Sequence, residues 1–336
     1  MKVLLIGTGD IGFSHARSVV RLGGSILGAY DVNKECLGKF SKEFDCVQLE
    51  YEQLDQYIPQ VDYVVICTPP TKRLDYVEKV LSNHIPLYME KPIATTLEDA
   101  EKIVAIEEKY GGKIIVGFAH RYRPAFVKMH ELVSSGILGE PVHLYSHRYG
   151  PGFGYGQRSL GESWRTDSKL ACGMTIESIS HEFNLLSSLC GDFETIAANV
   201  NCTIPSVPQY DTNTSMVLRA KNGAIVSIGA SWSSGVGVNI KGYIGTKGSV
   251  MLKGRNMFEF DEVVYKTIDM DTEQSFIFND SYAKDQDTVI FNVHKHFWYC
   301  LLNGTEIITP LEEGVKVLKL SLAALESSAE KREVIL

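Results

Sequence analysis

The chain has 336 residues, 44% of them hydrophobic, and its 41 acidic residues outweigh 33 Lys and Arg to give a formal charge of -8. That length and apolar content suit two domains with sizeable cores, while the acidic balance and the lack of any basic run argue against a nucleic-acid surface. No apolar stretch reaches the roughly 18 residues of a membrane span, and the N-terminus opens on a strand pattern rather than a leader, so the reading is a cytoplasmic protein with no membrane partner.

Residues 1–6 are a short apolar run, followed by Gly7-Thr8-Gly9-Asp10-Ile11-Gly12 and a helical pattern over 13–22. The order is what a dinucleotide site requires. Gly7 permits a tight turn, Gly9 lets a pyrophosphate approach the backbone, and Gly12 lets helix and strand pack closely. The helix N-terminus offers unpaired N–H groups to the phosphates, and Asp10 and Ile11 of the turn are candidate cofactor contacts. A second apolar run, 25–30, ends in Asp31, whose carboxylate can accept from ribose hydroxyls and repel a 2′-phosphate; NAD is expected over NADP, with Lys34 nearby softening that preference.

Helix-like and strand-like segments then alternate: a helix over 34–44, a nearly continuous apolar strand over 61–68, a helix over 74–82, a strand at 86–89, a helix over 97–110 and a strand over 113–119. This predicts a doubly wound parallel sheet of Rossmann type over residues 1–121. Ligands of such sheets sit at the carboxyl ends of the strands. Thr68-Pro69-Pro70, Glu90-Lys91-Pro92 and Ala119-His120-Arg121 all fall at such ends, so Thr68, Pro69, Glu90 and Lys91 are candidate cofactor contacts.

From residue 122 the pattern changes. A helix over 124–135, a strand over 142–149, a glycine-rich loop and one helix over 174–189 precede strands at 197–203, 215–220, 224–232, 238–244 and 249–252. Residues 122–336 are therefore expected to form an α+β domain with a large, mostly antiparallel open-faced sheet. Helical patterns return over 287–302 and 311–329, and the last helix is expected to pack back on the first domain. Seven cysteines lie scattered with no Cys-x-x-Cys spacing, which fits reduced thiols, and no metal site is expected. His143 with His147, and His294 with His296, read as surface histidines; Trp164, Trp232 and Trp298 read as core or interface.

Taken in order, Gly7 to Gly12, Thr68-Pro69-Pro70, Glu90-Lys91-Pro92, Val116-Gly117-Phe118 with Arg121-Tyr122, Trp164-Arg165, the segment carrying Glu177 and His181, and Ile244 to Ser249 resemble the Gfo/Idh/MocA family of oxidoreductases. The resemblance implies NAD or NADP, and hydride transfer at a secondary alcohol or ketone of a cyclic polyol, sugar or sugar derivative. It also implies homodimers or homotetramers formed through the second-domain sheet. By the same resemblance Lys91 lies against the nicotinamide and the reacting hydroxyl, Glu90 holds the nicotinamide side, and His181 is the general base. An alcohol gives up a hydride only as its proton leaves, and an ammonium or imidazole can manage that proton. Glu177, four residues earlier, is expected one turn away on the same helix face, where it can orient His181. Arg121, Tyr122, Tyr149, Arg165 and Asn184 are candidate substrate contacts. Inositol dehydrogenase-like members usually carry aspartate where this chain has Glu177, and often another where it has Asn184. A non-catalytic dinucleotide sensor or co-repressor on the same scaffold is the alternative.

Overall fold

A run of apolar residues without alternation makes a strand that must be covered on both faces, and the first half of the chain does this repeatedly. The structure, a computed structural model, describes residues 1–152, 167, 169–170, 172–203, 210–281 and 286–336. It divides into two compact units, Met1–Ala119 with Asp285–Leu318, and His120–Lys284 with Lys319–Leu336.

In the first unit the elements run β1 (Lys2–Ile6), α1 (Asp10–Arg21), β2 (Ser25–Tyr30), α2 (Lys34–Phe44), β3 (Val47–Gln48), α3 (Leu54–Tyr57), β4 (Tyr63–Ile66), α4 (Leu74–Leu81), β5 (Leu87–Met89), α5 (Leu97–Tyr110) and β6 (Ile114–Val116). The six strands pair in parallel in the order β3-β2-β1-β4-β5-β6. Every residue of β4 and β5 is fully buried, as strands covered on both faces must be. Thr96 caps α5 by accepting from the Asp99 N–H at 3.2 Å, which starts that helix where the sequence places it. The order reverses at β1, so the crevice lies where β1 and β4 part. Ile6 pairs with Ile66, Ile66 with Met89, and Met89 with Val116. One register line thus sets Gly7, Cys67-Thr68, Glu90-Lys91 and Gly117 side by side.

In the second unit α6 (Pro124–Ser134), β7 (Pro141–Pro151), α7 (Gly173–Glu177), α8 (Ser180–Cys190), β8 (Phe193–Asn201), β9 (Asn213–Ala220), β10 (Ile225–Ser231), β11 (Ser233–Gly245), β12 (Gly248–Gly254), β13 (Glu259–Thr267) and β14 (Gln274–Ser281) are followed, after the first unit's α9 (Gln286–Asn303), by α10 (Leu311–Glu330) and β15 (Val334–Ile335). The described strands form one sheet in the order β14-β13-β12-β11-β7-β10-β9-β8-β15. Only β7 and β10 pair in parallel among them. Strand β9 alternates buried and open along its length, the mark of a sheet with one covered face.

Several elements depart from the sequence reading. Helix α1 begins inside the glycine motif at Asp10 rather than at 13, because Gly9 takes the extended N-cap geometry and its carbonyl accepts from Phe13. The helix expected over 174–189 is two. The Ile179 N–H reaches back five residues to the Met174 carbonyl at 3.0 Å, a widened turn that breaks the register between α7 and α8. Strands β13 and β14 were not anticipated, since their polar residues hide the period-two pattern. The helix α9 and the first turns of α10 belong to the first unit, and the division falls inside α10 between Leu318 and Lys319.

Glycine spacing in the first turn has a steric meaning that can be measured. Gly7 has φ of +99°, and a Cβ on Gly12 would lie 2.4 Å from the Gly7 carbonyl oxygen, whereas one on Gly9 would meet nothing within 4 Å. Gly12→Ala is therefore expected to cost about 1–3 kcal/mol in urea unfolding, and Gly9→Ala to stay within about 0.5 kcal/mol of the native protein.

Candidate active site

The first unit builds one half of the expected residue set from strand ends. Asp31, directly after β2, receives the Thr8 N–H at 2.6 Å and the Thr8 hydroxyl at 3.0 Å, and accepts from the Asn33 N–H at 2.8 Å through its other oxygen. The carboxylate thus fixes the glycine turn, and with two oxygens it has lone pairs left for a further donor. Gly9 and Asp10 are exposed, Ile11 is half-buried and Gly12 is buried. The peptide N–H groups at the start of α1 form the mouth of the turn.

Arg73, which the sequence reading did not single out, ties two strand ends together. Its guanidinium donates to the Thr68 carbonyl at 2.8 and 3.0 Å, and also to the Glu90 and Pro92 carbonyls. It is 3% exposed. One rigid five-donor fork therefore holds the segment after β4 against the segment after β5. The Lys91–Pro92 bond is cis. Glu90 is buried, and one of its oxygens lies 3.2 Å from Nε2 of His15 on α1 while the other accepts the Lys91 N–H at 3.2 Å. Burial raises the Glu90 carboxyl, but the His15 contact, with Lys91 and Arg73, outweighs it and holds the group below the usual carboxylate range. Lys91 itself is half-buried. Thr68 and Pro69 are half-buried at the same edge.

In the second unit the predicted residues gather around α8. His181 is stacked on His120, ring centroids 4.0 Å apart and planes 15° from parallel. Burial, then His181 and the charges of Arg123, Arg148 and Lys241, hold the His120 imidazole far below its ordinary range, hence uncharged. Asn184 is buried and follows His181 by three residues on the same helix, so the two share a face. Arg121 lies over the Phe126 ring at 5.9 Å, and Tyr122 is buried. Arg165 lies outside the described residues.

Two expectations need correction. Glu177 closes α7 rather than sharing a regular helix with His181, because the widened turn at Ile179 intervenes; its Oε2 accepts the Tyr210 hydroxyl at 2.8 Å. Tyr149 belongs to the row His143, Tyr145, His147 and Tyr149 on one face of β7, where His147 and Tyr149 stack with centroids 6.0 Å apart. Ser146 and Arg148 point to the opposite face, toward α8. Strand alternation thus separates Tyr149 from the His181 group.

Beneath His181 lies a cluster that sequence reasoning missed. Glu182, fully buried, accepts from the Ser146 hydroxyl at 2.6 Å and pairs with Lys241 at 2.9 Å and Arg148 at 3.4 Å. Burial lowers the Lys241 amine to about 8, and Glu182 partly offsets that. Glu182 in turn is held below its ordinary range, because Lys241 and Arg148 outweigh burial. The available signal was an inverted pattern: β11 turns Asn239 and Lys241 inward while Ile244 is 42% exposed. Such a pair, once broken, leaves a buried charge, so the cluster fixes how α8 sits on β7 and β11.

Asp211 was also missed. It caps α7, accepting the Thr175 N–H at 2.9 Å and the Thr175 hydroxyl at 2.7 Å. Burial pushes its carboxyl up from 3.8 to about 6, the Thr175 bonds only partly opposing. The folded state therefore holds the proton more tightly than the unfolded chain, and this contribution to stability is full below pH 3.8 and lost as pH rises through about 6. Asp211→Asn retains an acceptor without the charge. Measured by denaturant unfolding, the native protein is expected to lose about 2–3 kcal/mol relative to that variant between pH 4 and pH 7.

Comparison with known proteins adds a second line of observation. Residues 1–118 match an oxidoreductase family described as having an NAD-binding Rossmann fold, and residues 126–251 match the GFO/IDH/MocA C-terminal domain. An inositol 2-dehydrogenase of Pseudomonas savastanoi pv. phaseolicola is 29% identical over 197 residues, covering 57% of this chain and 55% of that protein. The match therefore spans little more than half the length of that curated relative. The scyllo-inositol 2-dehydrogenase (NAD(+)) of Bacillus subtilis is 24% identical over 340 residues, 97% of this chain and 94% of that protein. In fold, the chain is similar to the crystal structure of a myo-inositol dehydrogenase from Corynebacterium glutamicum, with a TM-score of 0.80 and 21% identity over 100% of this chain and 98% of that one.

Proposed function

The chain belongs to the GFO/IDH/MocA oxidoreductase family, and from that premise we propose that it is an NAD-dependent dehydrogenase or ketoreductase acting on a secondary alcohol or ketone of a cyclic polyol, sugar or sugar derivative. The observation that carries the reading is the register line of the parallel sheet, which sets Glu90-Lys91 beside the glycine turn and the Thr68 strand end. The dehydrogenase names of the relatives agree with it.

The first unit fits the dinucleotide. A Cβ at Gly7 would lie 2.9 Å from the Cys67 carbonyl carbon and one at Gly12 2.4 Å from the Gly7 oxygen, so both glycines keep the turn tight, while Gly9 leaves open space within 4 Å over it. The α1 N-terminus favours the pyrophosphate, and Asp31 is placed to accept from a ribose hydroxyl while disfavouring a 2′-phosphate, which selects NAD. When bound, NAD supplies the acceptor or donor of the hydride. By the family pattern Lys91 is the group assigned to the developing charge on the carbinol oxygen, and His181 the group assigned to its proton. Glu177 is engaged by Tyr210, and Arg121, Tyr122 and Asn184 serve substrate hydroxyls. The apolar residues Val217, Ile225 and Ile244, on the face of the second unit's sheet that carries His143, are 42–52% exposed, which suits a sheet face covered by a second copy of the chain.

Lys91→Ala is the direct test. Turnover with NAD and a panel of inositols and sugars is expected to fall by about 10² or more, with the Kd for NADH, read by fluorescence titration, within about threefold of the native value. Native turnover in that variant would overturn the assignment. For the assembly, the double variant Val217→Asp with Ile244→Asp is expected to elute at the 37.4 kDa monomer mass, where the native protein elutes as a dimer or larger.

A further inference from the structure

Behind Glu90, on the side away from Lys91's place in the sequence motif, a chain of buried polar groups crosses the core of the first unit. Trp298 Nε1 donates to the Tyr63 hydroxyl oxygen at 2.9 Å, and that hydroxyl lies 2.9 Å from His294 Nδ1. His294 Nε2 is 2.8 Å from His15 Nδ1, and His15 Nε2 is 3.2 Å from Glu90 Oε1. Tyr63, His15 and His294 are all 0% exposed. His294, expected from its sequence spacing to be a surface residue, is stacked on Tyr88 with ring centroids 4.8 Å apart.

The proton positions follow from the two ends. An indole nitrogen can only donate, so the Tyr63 oxygen receives the Trp298 N–H. The Tyr63 proton then has one acceptor among its described partners, His294 Nδ1. That leaves His294 with its proton on Nε2, which must donate to His15 Nδ1, and His15 with its proton on Nε2, which must donate to Glu90. Any reversal, including a proton on Glu90 Oε1 or a doubly protonated His15, strands the buried Tyr63 hydroxyl proton, a costly outcome in a dry core. Burial, the largest cause, holds His294 far below its ordinary range, which agrees with a neutral ring. The chain also ends in a group that cannot release a proton under these conditions, so it conducts none to solvent.

We propose that His15, His294 and Tyr63 are positioning residues, a one-way hydrogen-bond chain anchored on Trp298 that fixes the Glu90 carboxylate as a pure acceptor beside Lys91. The inference deepens the dehydrogenase reading and rests on it for its kinetic consequence. Glu90, so held, receives the Lys91 N–H and sets the peptide from which the Lys91 side chain departs. The groups that bear on its charge are His15 from α1, Arg73 from the segment before α4, Lys91 beside it and the Cys67 thiol after β4.

The test has one readout independent of activity. In the full chain labelled with imidazole-15N histidine, and with His15→Gln and His294→Gln as assignment variants, both rings are expected to show a protonated Nε2 and a bare Nδ1, and the His294 ring no titration between pH 5.5 and 8.5, a window of about one unit below to two above the ordinary histidine value. A protonated Nδ1 on either ring, or titration of His294 in that window, would overturn the proposal. In turnover, His15→Phe is expected to move the acid limb of kcat/KM up by about one pH unit, since Glu90 loses a donor to its charged form, with KM for NAD within about threefold. Tyr63→Phe, which removes a single hydroxyl, is expected to shift the limb the same way by less. His15→Gln, whose amide can accept from His294 and donate to Glu90, restores the native profile. An unmoved limb in His15→Phe sinks the clamp. Absence of polyol turnover in the native protein, with the ring protonation as stated, sinks the dehydrogenase reading and leaves the clamp standing.

Discussion

Four parallel strands that stop on one line are the constraint on which the first unit depends. Ile6, Ile66, Met89 and Val116 are neighbours across the sheet, so whatever follows each of them is delivered to a common edge regardless of its distance along the chain. A parallel ladder fixes this register because each strand is buried on both faces and a slip would cost the full set of contacts. Arg73 then converts adjacency into rigidity by holding the carbonyls of Thr68, Glu90 and Pro92 with one planar cation. The glycine turn, the Glu90-Lys91-Pro92 segment and the buried histidine chain behind it are consequences of that geometry.

The second unit solves a different problem. Helix α8 carries His181 and Asn184, yet it follows a break at Ile179 and covers a sheet rather than lying within one. A buried ionic cluster sets its position: Glu182 reaches through to Ser146, Arg148 and Lys241 on β7 and β11. Buried ion pairs add little net stability against an apolar alternative, but a misplaced partner leaves an uncompensated charge. Specificity of placement is what such a cluster contributes here. Asp211 does similar work for α7, accepting from Thr175 at the helix start at the expense of a carboxyl that burial would rather see protonated.

Much of this could be read before any coordinates. The glycine turn, Asp31, the strand ends and the start of α5 at residue 97 were legible because each is a local arrangement, set by a few consecutive residues and their backbone preferences. The mostly antiparallel second sheet was legible from alternation in β9 and β10. Strands β13 and β14 were not, since polar residues occupy positions on both faces. His294 misled because a histidine spaced two residues from another on a helix suggests solvent, and nothing nearby in sequence hints at Tyr63 or His15. Tyr149 misled because its position beside the glycine-rich loop says nothing of which sheet face it occupies.

The sequence by itself determined the nucleotide cradle and the identity of the strand ends, because steric allowance at Gly7 and Gly12 and the exit of each strand depend on bonds and neighbours within a few residues. Only the tertiary structure decided which polar groups are buried together. His15 meets His294 across 279 residues, and Glu182 meets Lys241 across a sheet whose strands β7 and β11 turn their polar faces inward. Those partnerships are set by which elements pack, and desolvation then fixes where the protons and charges reside.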